Sequence, residues 1–334
     1  MIFLESGDIT DELRLPGEAI PLIDSCDSCQ TASIAAIEEK LDMRDFSKDH
    51  DWLSINTATI RKQHGQECSL LEIIEQCAAQ GIRAISPWRD QVAAATLSAA
   101  AKAIKSAGLA LSGYCRGGMF TAMDKAGLKA SEDDNRRAVD EAKALNAACL
   151  VLVVGALPGA LAGKALTRDI RLARTQVEDG MGKLLEYARE QGMPLAIEPL
   201  HPMYAADRAC VNTMEQALDL CDLLDPCASG ALGVAVDVYH TWWDPKLEEQ
   251  IRRAGAKRLL AFHTCDWLTP TSDLLNDRGM MGDGIIDIPL IRSWVEEAGF
   301  SGFCEVEIFS QENWWQKSGK DVLATCIERH CTSV

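Results

Sequence analysis

The chain has 334 residues, 47% apolar and 25% charged, enough to bury the core of one large domain. Its net charge of −17 repels phosphate backbones and anionic bilayers alike, so neither nucleic acid nor membrane is an expected partner. No apolar stretch approaches the length of a membrane span, and the acidic segment from Met1 to Leu13 lacks the regions of a secretory signal, so a cytoplasmic setting is expected.

Residues 1–50 read as an N-terminal extension, irregular or partly helical, with one short helical pattern from Thr31 to Leu41. It is either an appendage on the main domain or a stretch upstream of a start near Met43. Cys26 and Cys29 form a Cys-x-x-Cys within it. No second pair stands at zinc-finger spacing and no thioredoxin-like β/α context follows, so the thirteen cysteines read as free thiols of a reducing compartment.

Residues 51–334 alternate between strand and helix. Strands are predicted at 52–57, 82–86, 109–114, 149–154, 194–198, 232–237, 258–263 and 302–308. Each is a short apolar run, as expected when helices cover both faces of a parallel sheet. Helices are predicted at 69–80, 92–107, 131–147, 168–191, 213–224, 245–254, 287–298 and 319–330. Ser131 reads as an N-cap ahead of Glu132, Asp133 and Asp134, with Ala138, Val139, Ala142 and Leu145 on the buried face. Asp244-Pro245 reads as the start of another helix that Gly255 closes. Eight such units make an α/β fold, a closed (β/α)8 TIM barrel; no Gly-x-Gly-x-x-Gly follows the first strand to suggest a doubly wound sheet.

In barrels of this kind the reacting groups stand at the C-terminal ends of strands. Glu198, Asp237, His263 and Glu307 each close an apolar run, in Leu-Ala-Ile-Glu, Val-Ala-Val-Asp, Leu-Ala-Phe-His and Glu-Val-Glu. A single strand-end acid is commonly a helix cap or half of an ion pair. Four on consecutive strands, all left unpaired, would cost several kcal/mol each, so convergence on one divalent metal is the stronger reading. Three carboxylates and an imidazole suit Mn²⁺ first, with Mg²⁺, Co²⁺ or Zn²⁺ as the other candidates.

The ordered set Asp237-Val-Tyr-His240, His263, Arg278-Gly-Met-Met-Gly-Asp-Gly284 and Gly302-Phe-Cys-Glu-Val-Glu307-Ile-Phe309 resembles the sugar isomerase/epimerase family with the xylose-isomerase-like barrel. Ketose 3-epimerases and inosose dehydratase belong to that group, and endonuclease IV shares its fold. The resemblance covers residue 50 to the end. It implies that Glu198, Asp237, His263 and Glu307 ligate the metal, that Glu198 and Glu307 double as the acid/base pair, and that His240 and Arg278 hold substrate oxygens. Strand alternation points Glu305 and Glu307 to the same side. Glu307 is preferred because it lies five residues after Gly302, as the family's ligand does.

The expected activity is metal-dependent isomerisation or epimerisation of a sugar or keto-sugar. The metal would grip a carbonyl and the adjacent hydroxyl and stabilise the enediolate left when the α-carbon loses its proton. The same enediolate can expel a β-substituent, so the alternative is a lyase, an inosose-type dehydratase or a β-eliminating enzyme on 3-keto-glycosides. His201, just past Glu198, would be a second catalytic base favouring that route, although a lone histidine is more often structural. Trp88 and Arg116, both following strands, are candidate substrate contacts, and Arg89 is a weaker one. Six of the eight tryptophans follow predicted strand ends, where sugar stacking and plain loop packing are equally good readings. A DNA-repair endonuclease needs more histidine than the six present; a sugar-binding barrel without turnover is a further class. The expected partner is a small sugar-derived molecule, with a homo-oligomer allowed.

Overall fold

A computed structural model describes residues 43–334. The expectations for residues 1–42, including the Thr31–Leu41 helical pattern and the Cys26–Cys29 pair, lie outside the described residues.

Nine parallel strands form the sheet: β1 (Leu53–Asn56), β2 (Ala84–Ser86), β3 (Ala110–Leu111), β4 (Tyr114–Gly117), β5 (Leu150–Val153), β6 (Leu195–Glu198), β7 (Leu232–Asp237), β8 (Leu259–Thr264) and β9 (Cys304–Val306). Their order is β3-β2-β1-β9-β8-β7-β6-β5-β4. The sheet closes nearly completely, because β3 and β4 are two halves of one barrel position, broken at Ser112–Gly113. Beyond the break Cys115 N–H bonds to the Pro87 carbonyl at 3.0 Å. The single predicted strand 109–114 is therefore two, and the second runs on to Gly117. A polar Ser-Gly pair inside an apolar run lets the chain shift its pairing partner.

The helices are α1 (Leu70–Ala79), α2 (Arg89–Ala95), α3 (Leu97–Ala107), α4 (Lys125–Ala144), α5 (Ile170–Gln191), α6 (Met214–Leu224), a single turn α7 (Val238–Thr241), α8 (Leu247–Arg258), α9 (Ile288–Glu297) and α10 (Gly319–Ser333). They stop and start for local reasons. Ser69 and Glu72 form a reciprocal capping box on α1, Asp169 caps α5, and Gly192 in the left-handed region ends it. The predicted helix 92–107 is split at Thr96, whose φ of 69° breaks the run while its hydroxyl caps α3. Helix α4 begins earlier than expected. Asp124 is its cap, and Ser131 lies inside it, although Ala138, Val139 and Ala142 are buried as anticipated. Helix α8 begins at Leu247 without a side-chain cap, and Gly255 (φ 57°, ψ −179°) interrupts it where closure was expected.

Strands β6 and β7 are buried along their whole length, since the barrel interior covers one face and helices the other. Residues 43–50, placed with the extension by sequence, pack against the barrel: Phe46 is buried against the His330 ring and Arg44 pairs with Glu296 at 3.0 Å. The eleven cysteines of the described residues are free thiols. No helix among the described residues is long and apolar enough to cross a membrane.

Candidate metal centre and substrate cavity

Parallel register sets the site. Asp237 on β7 lies beside His263 on β8, which lies beside Glu305 on β9; Glu198 ends β6 opposite Val153 of β5. Glu307 follows β9 directly, with its N–H on the Thr264 carbonyl at 3.1 Å. Glu198, Asp237, His263 and Glu307 are all buried, and each offers a donor atom within 4.8 Å of the others.

Asp237 is also the cap of α7. Its Oδ1 accepts the Tyr239 N–H at 2.8 Å, and the turn so formed returns His240 to 3.6 Å from Asp237 Oδ2. Arg278 reaches in from the loop after β8: its Nη1 donates to Asp237 Oδ2 and to Glu307 Oε2, both at 3.1 Å, and Nη2 lies 3.2 Å from His240 Nε2. That loop is tied down by Asp266, whose buried carboxylate accepts backbone N–H bonds from Trp267, Gly282, Gly284 and Ile286 at 2.8–3.0 Å. Gly284 is required there, since a Cβ would stand 2.2 Å from the Trp267 carbonyl oxygen.

Glu305 has a separate task. It points into the barrel, accepting from Asn56 Nδ2 at 2.8 Å and from the Ser112 hydroxyl at 2.7 Å, and stands 3.5 Å from His263 Nε2. Asn56 in turn accepts the Trp88 indole N–H at 2.7 Å. Glu198 approaches the other ring nitrogen, His263 Nδ1, at 2.8 Å. A proton on Nε2 facing Glu305 leaves Nδ1 as the free lone pair, the tautomer a metal-binding imidazole needs.

Burial and neighbouring charge compete at Asp237, His263, Glu307 and His240. It works against the Asp237 anion, but Arg278, His240 and His263 override it and hold the carboxyl below the usual range. Burial also opposes the imidazolium of His263, yet Glu305, Glu198 and Glu307 raise its proton affinity well above normal. Glu307 goes the other way from Asp237: burial pushes it up to about 8 despite Arg278. Burial takes His240 down to about 3. The donor set fits a divalent cation. Four carboxylates crowd the barrel mouth, and Arg278 is the one permanently charged cation in contact with the cluster among the described residues. The excess of buried negative charge calls for a positive ion or for protons.

Above the cluster lies a cavity of about 160 Å³. Glu198, Glu307, His240, Arg278, Trp88 and Arg116 line it, as do Tyr204, Arg208 and Phe309. The last three escaped the sequence reading; Phe309 stood in a quoted motif, whereas Tyr204 and Arg208 lie in a loop without pattern. His201 is not in the cavity wall. Its ring stacks 5.0 Å from Trp267 with Trp243 edge-on at 5.6 Å, and Nδ1 accepts the Met203 N–H. What His201 supplies is its backbone N–H, which donates to His240 Nδ1 at 3.2 Å. Of the strand-end tryptophans, Trp88 faces the cavity. Trp242 and Trp267 pack on each other, and Trp314 and Trp315 are buried. Arg89 is occupied by Asp134 and Glu141.

The xylose isomerase-like TIM-barrel family matches residues 74–326. The crystal structure of protein SMc04130 from Sinorhizobium meliloti 1021 is 55% identical, with a TM-score of 0.79 over 85% of this chain and 98% of that one. An inosose isomerase of Bacillus licheniformis is 26% identical over 203 residues, 59% of this chain and 69% of the relative. The IOLI protein, solved with a bound zinc atom, shares the fold at 20% identity and a TM-score of 0.68 over 84% of this chain and 98% of that one.

Proposed function

The chain belongs to the xylose isomerase-like TIM-barrel family, and on that footing we propose that it is a divalent-metal-dependent isomerase or epimerase of a keto-sugar. The observation that carries this is the convergence of Glu198, Asp237, His263 and Glu307 beneath a small cavity. The inosose isomerase relatives support carbohydrate isomerisation as the class of reaction.

A divalent ion held by these four side chains would polarise a substrate carbonyl and its neighbouring hydroxyl, stabilising negative charge as the α-proton leaves. Mn²⁺ leads as the native ion on the donor set, and the zinc of the IOLI protein keeps Zn²⁺ in view. Glu198 and Glu307 both line the cavity. One removes the proton and the other returns it, to the same carbon from the opposite side or to its neighbour. Neutral His240 accepts the His201 N–H at Nδ1, which leaves its proton on Nε2, a fixed donor toward substrate oxygens in the cavity. Arg278 neutralises Asp237 and Glu307 and keeps their oxygens aimed at the cluster. Trp88 and Phe309 give the sugar ring an apolar wall.

The eliminating alternative drew on His201 as a second base. With that ring outside the cavity, His201 gives elimination no advantage over epimerisation. The test is metal-reconstituted protein in D₂O with ketoses, keto-inositols and 3-keto-glycosides, followed by NMR. Deuterium entering the α-position without loss of a leaving group is expected. Glu198→Gln and Glu307→Gln should each lower the exchange rate by about 10²–10⁴-fold, and His263→Ala should lower the bound metal content. An enone or free aglycone would instead establish the lyase, and active protein free of any divalent ion would end both readings.

A further inference from the structure

The cavity contains more positive charge than a neutral sugar can use. Three arginines line it. Arg278 is committed to Asp237, Glu307 and His240. Arg116 and Arg208 are not. The Arg116 guanidinium lies 5.9 Å from the Trp88 ring, and no acceptor bonds to it among the described residues. The Arg208 guanidinium lies 5.6 Å from the Tyr204 ring; its buried Nε has no hydrogen-bond partner among the described residues and stands 3.7 Å from Asp207. Both aromatic rings belong to the same cavity wall. Burial, and after it the positive field of Arg208, draw the Arg116 guanidinium below its ordinary value, so the two cations feel one another.

Desolvating two like charges is unfavourable. Glu198 across the cavity offsets part of this field, but neither guanidinium is hydrogen-bonded to a carboxylate among the described residues: Asp207 stays 3.7 Å from Arg208 Nε, and Arg278 already occupies Asp237 and Glu307. A planar guanidinium fork matches the paired oxygens of a carboxylate or phosphate, and two such forks against flat aromatic walls make a rigid cradle. A neutral polyol would be served by uncharged donors. We propose that the substrate is a keto-sugar bearing an oxyanion, a carboxylate or a phosphate ester, which Arg116 and Arg208 hold while the hydroxy-carbonyl end faces Glu198 and Glu307. The proposal rests on the keto-sugar reading of the site.

Three ligands of one carbon skeleton test it on metal-loaded protein: D-fructose, D-fructuronate and D-fructose 6-phosphate. KM comes from deuterium exchange and Kd from calorimetry. One or both anions should bind at least about tenfold more tightly than D-fructose at low salt, and the advantage should shrink as salt rises. The arm that wins identifies carboxylate or phosphate. Arg116→Met and Arg208→Met should each bring the anion-to-neutral ratio toward one, with the lysine variants retaining part of it and circular dichroism confirming folding. Exchange with equal affinity for all three ligands, or a preference surviving both methionine variants, would overturn the oxyanion subsite and leave the isomerase reading standing. Anion-selective binding without any exchange would do the reverse.

Discussion

At the scale of the residue, Glu307 is a buried carboxyl whose proton a bound cation could replace. Burial raises the carboxyl from 4.5 to about 8 when no metal is bound. The folded protein then retains a proton on Glu307 that the unfolded chain has released. The stabilisation is complete below about pH 4.5 and is lost as pH rises through about 8. Metal-free protein should therefore lose stability from this group across that window, whereas metal-loaded protein should not, because the cation substitutes for the proton. Thermal melts at several pH values, with and without a chelator, measure the difference. Calorimetric metal titrations near pH 7 should also release protons to the buffer. Melting curves of the two forms that run parallel with pH would contradict this account.

At the scale of the element, the loop carrying Arg278 is anchored by Asp266, which collects four of its backbone donors. Asp266→Ala would leave those N–H groups without their partner, at about 1–3 kcal/mol for each one that water cannot reach, as it cannot reach that of Ile286. The unfolding free energy from denaturant titration should fall by about 2 kcal/mol overall. The apparent metal affinity should fall too, since Arg278 would lose its aim. The same variant with unchanged stability would show that the loop is held from elsewhere. The contrast between strand and loop also explains what the sequence disclosed. Glu198, Asp237 and His263 were legible because a polar residue closing an apolar run has few purposes in a parallel barrel. Asn56, which ends Leu-Ser-Ile-Asn on β1, obeys the same rule and was passed over, although it orients Glu305. Ser112 was hidden by the break in its strand, since pairing registers are properties of neighbours and not of one segment. Thr96 gave no warning of the α2–α3 break, because β-branched residues seldom adopt positive φ. Tyr204 and Arg208 reach the cavity through a loop whose path is set by tertiary contacts, so nothing periodic announced them.

At the scale of the whole molecule, a chain of net charge −17 concentrates part of its acidity at the mouth of its own barrel, among β6, β7, β8 and β9. Ion binding there would tie together strands that are distant in sequence. A cation at 100 times its dissociation constant should add about 2.7 kcal/mol to the free energy of unfolding. For a domain of this size that is a rise of several degrees in Tm. Differential scanning fluorimetry against Mn²⁺, Mg²⁺, Co²⁺ and Zn²⁺ would rank the candidates, and a flat response to all four would remove the metal from the proposed mechanism.

The chain of contacts from the Trp88 indole through Asn56 and Glu305 to His263, two hydrogen bonds and a charged contact at 3.5 Å, has a practical corollary. One end is a fluorophore on the cavity wall and the other is an imidazole at the cation's seat. Loading an ion there would draw on that imidazole, and the change in polarity would pass back along these contacts to the indole, so occupancy should register as altered intrinsic emission without any added dye. In a Trp88→Phe protein the other seven indoles would still glow, but the metal-dependent part of the signal should be gone.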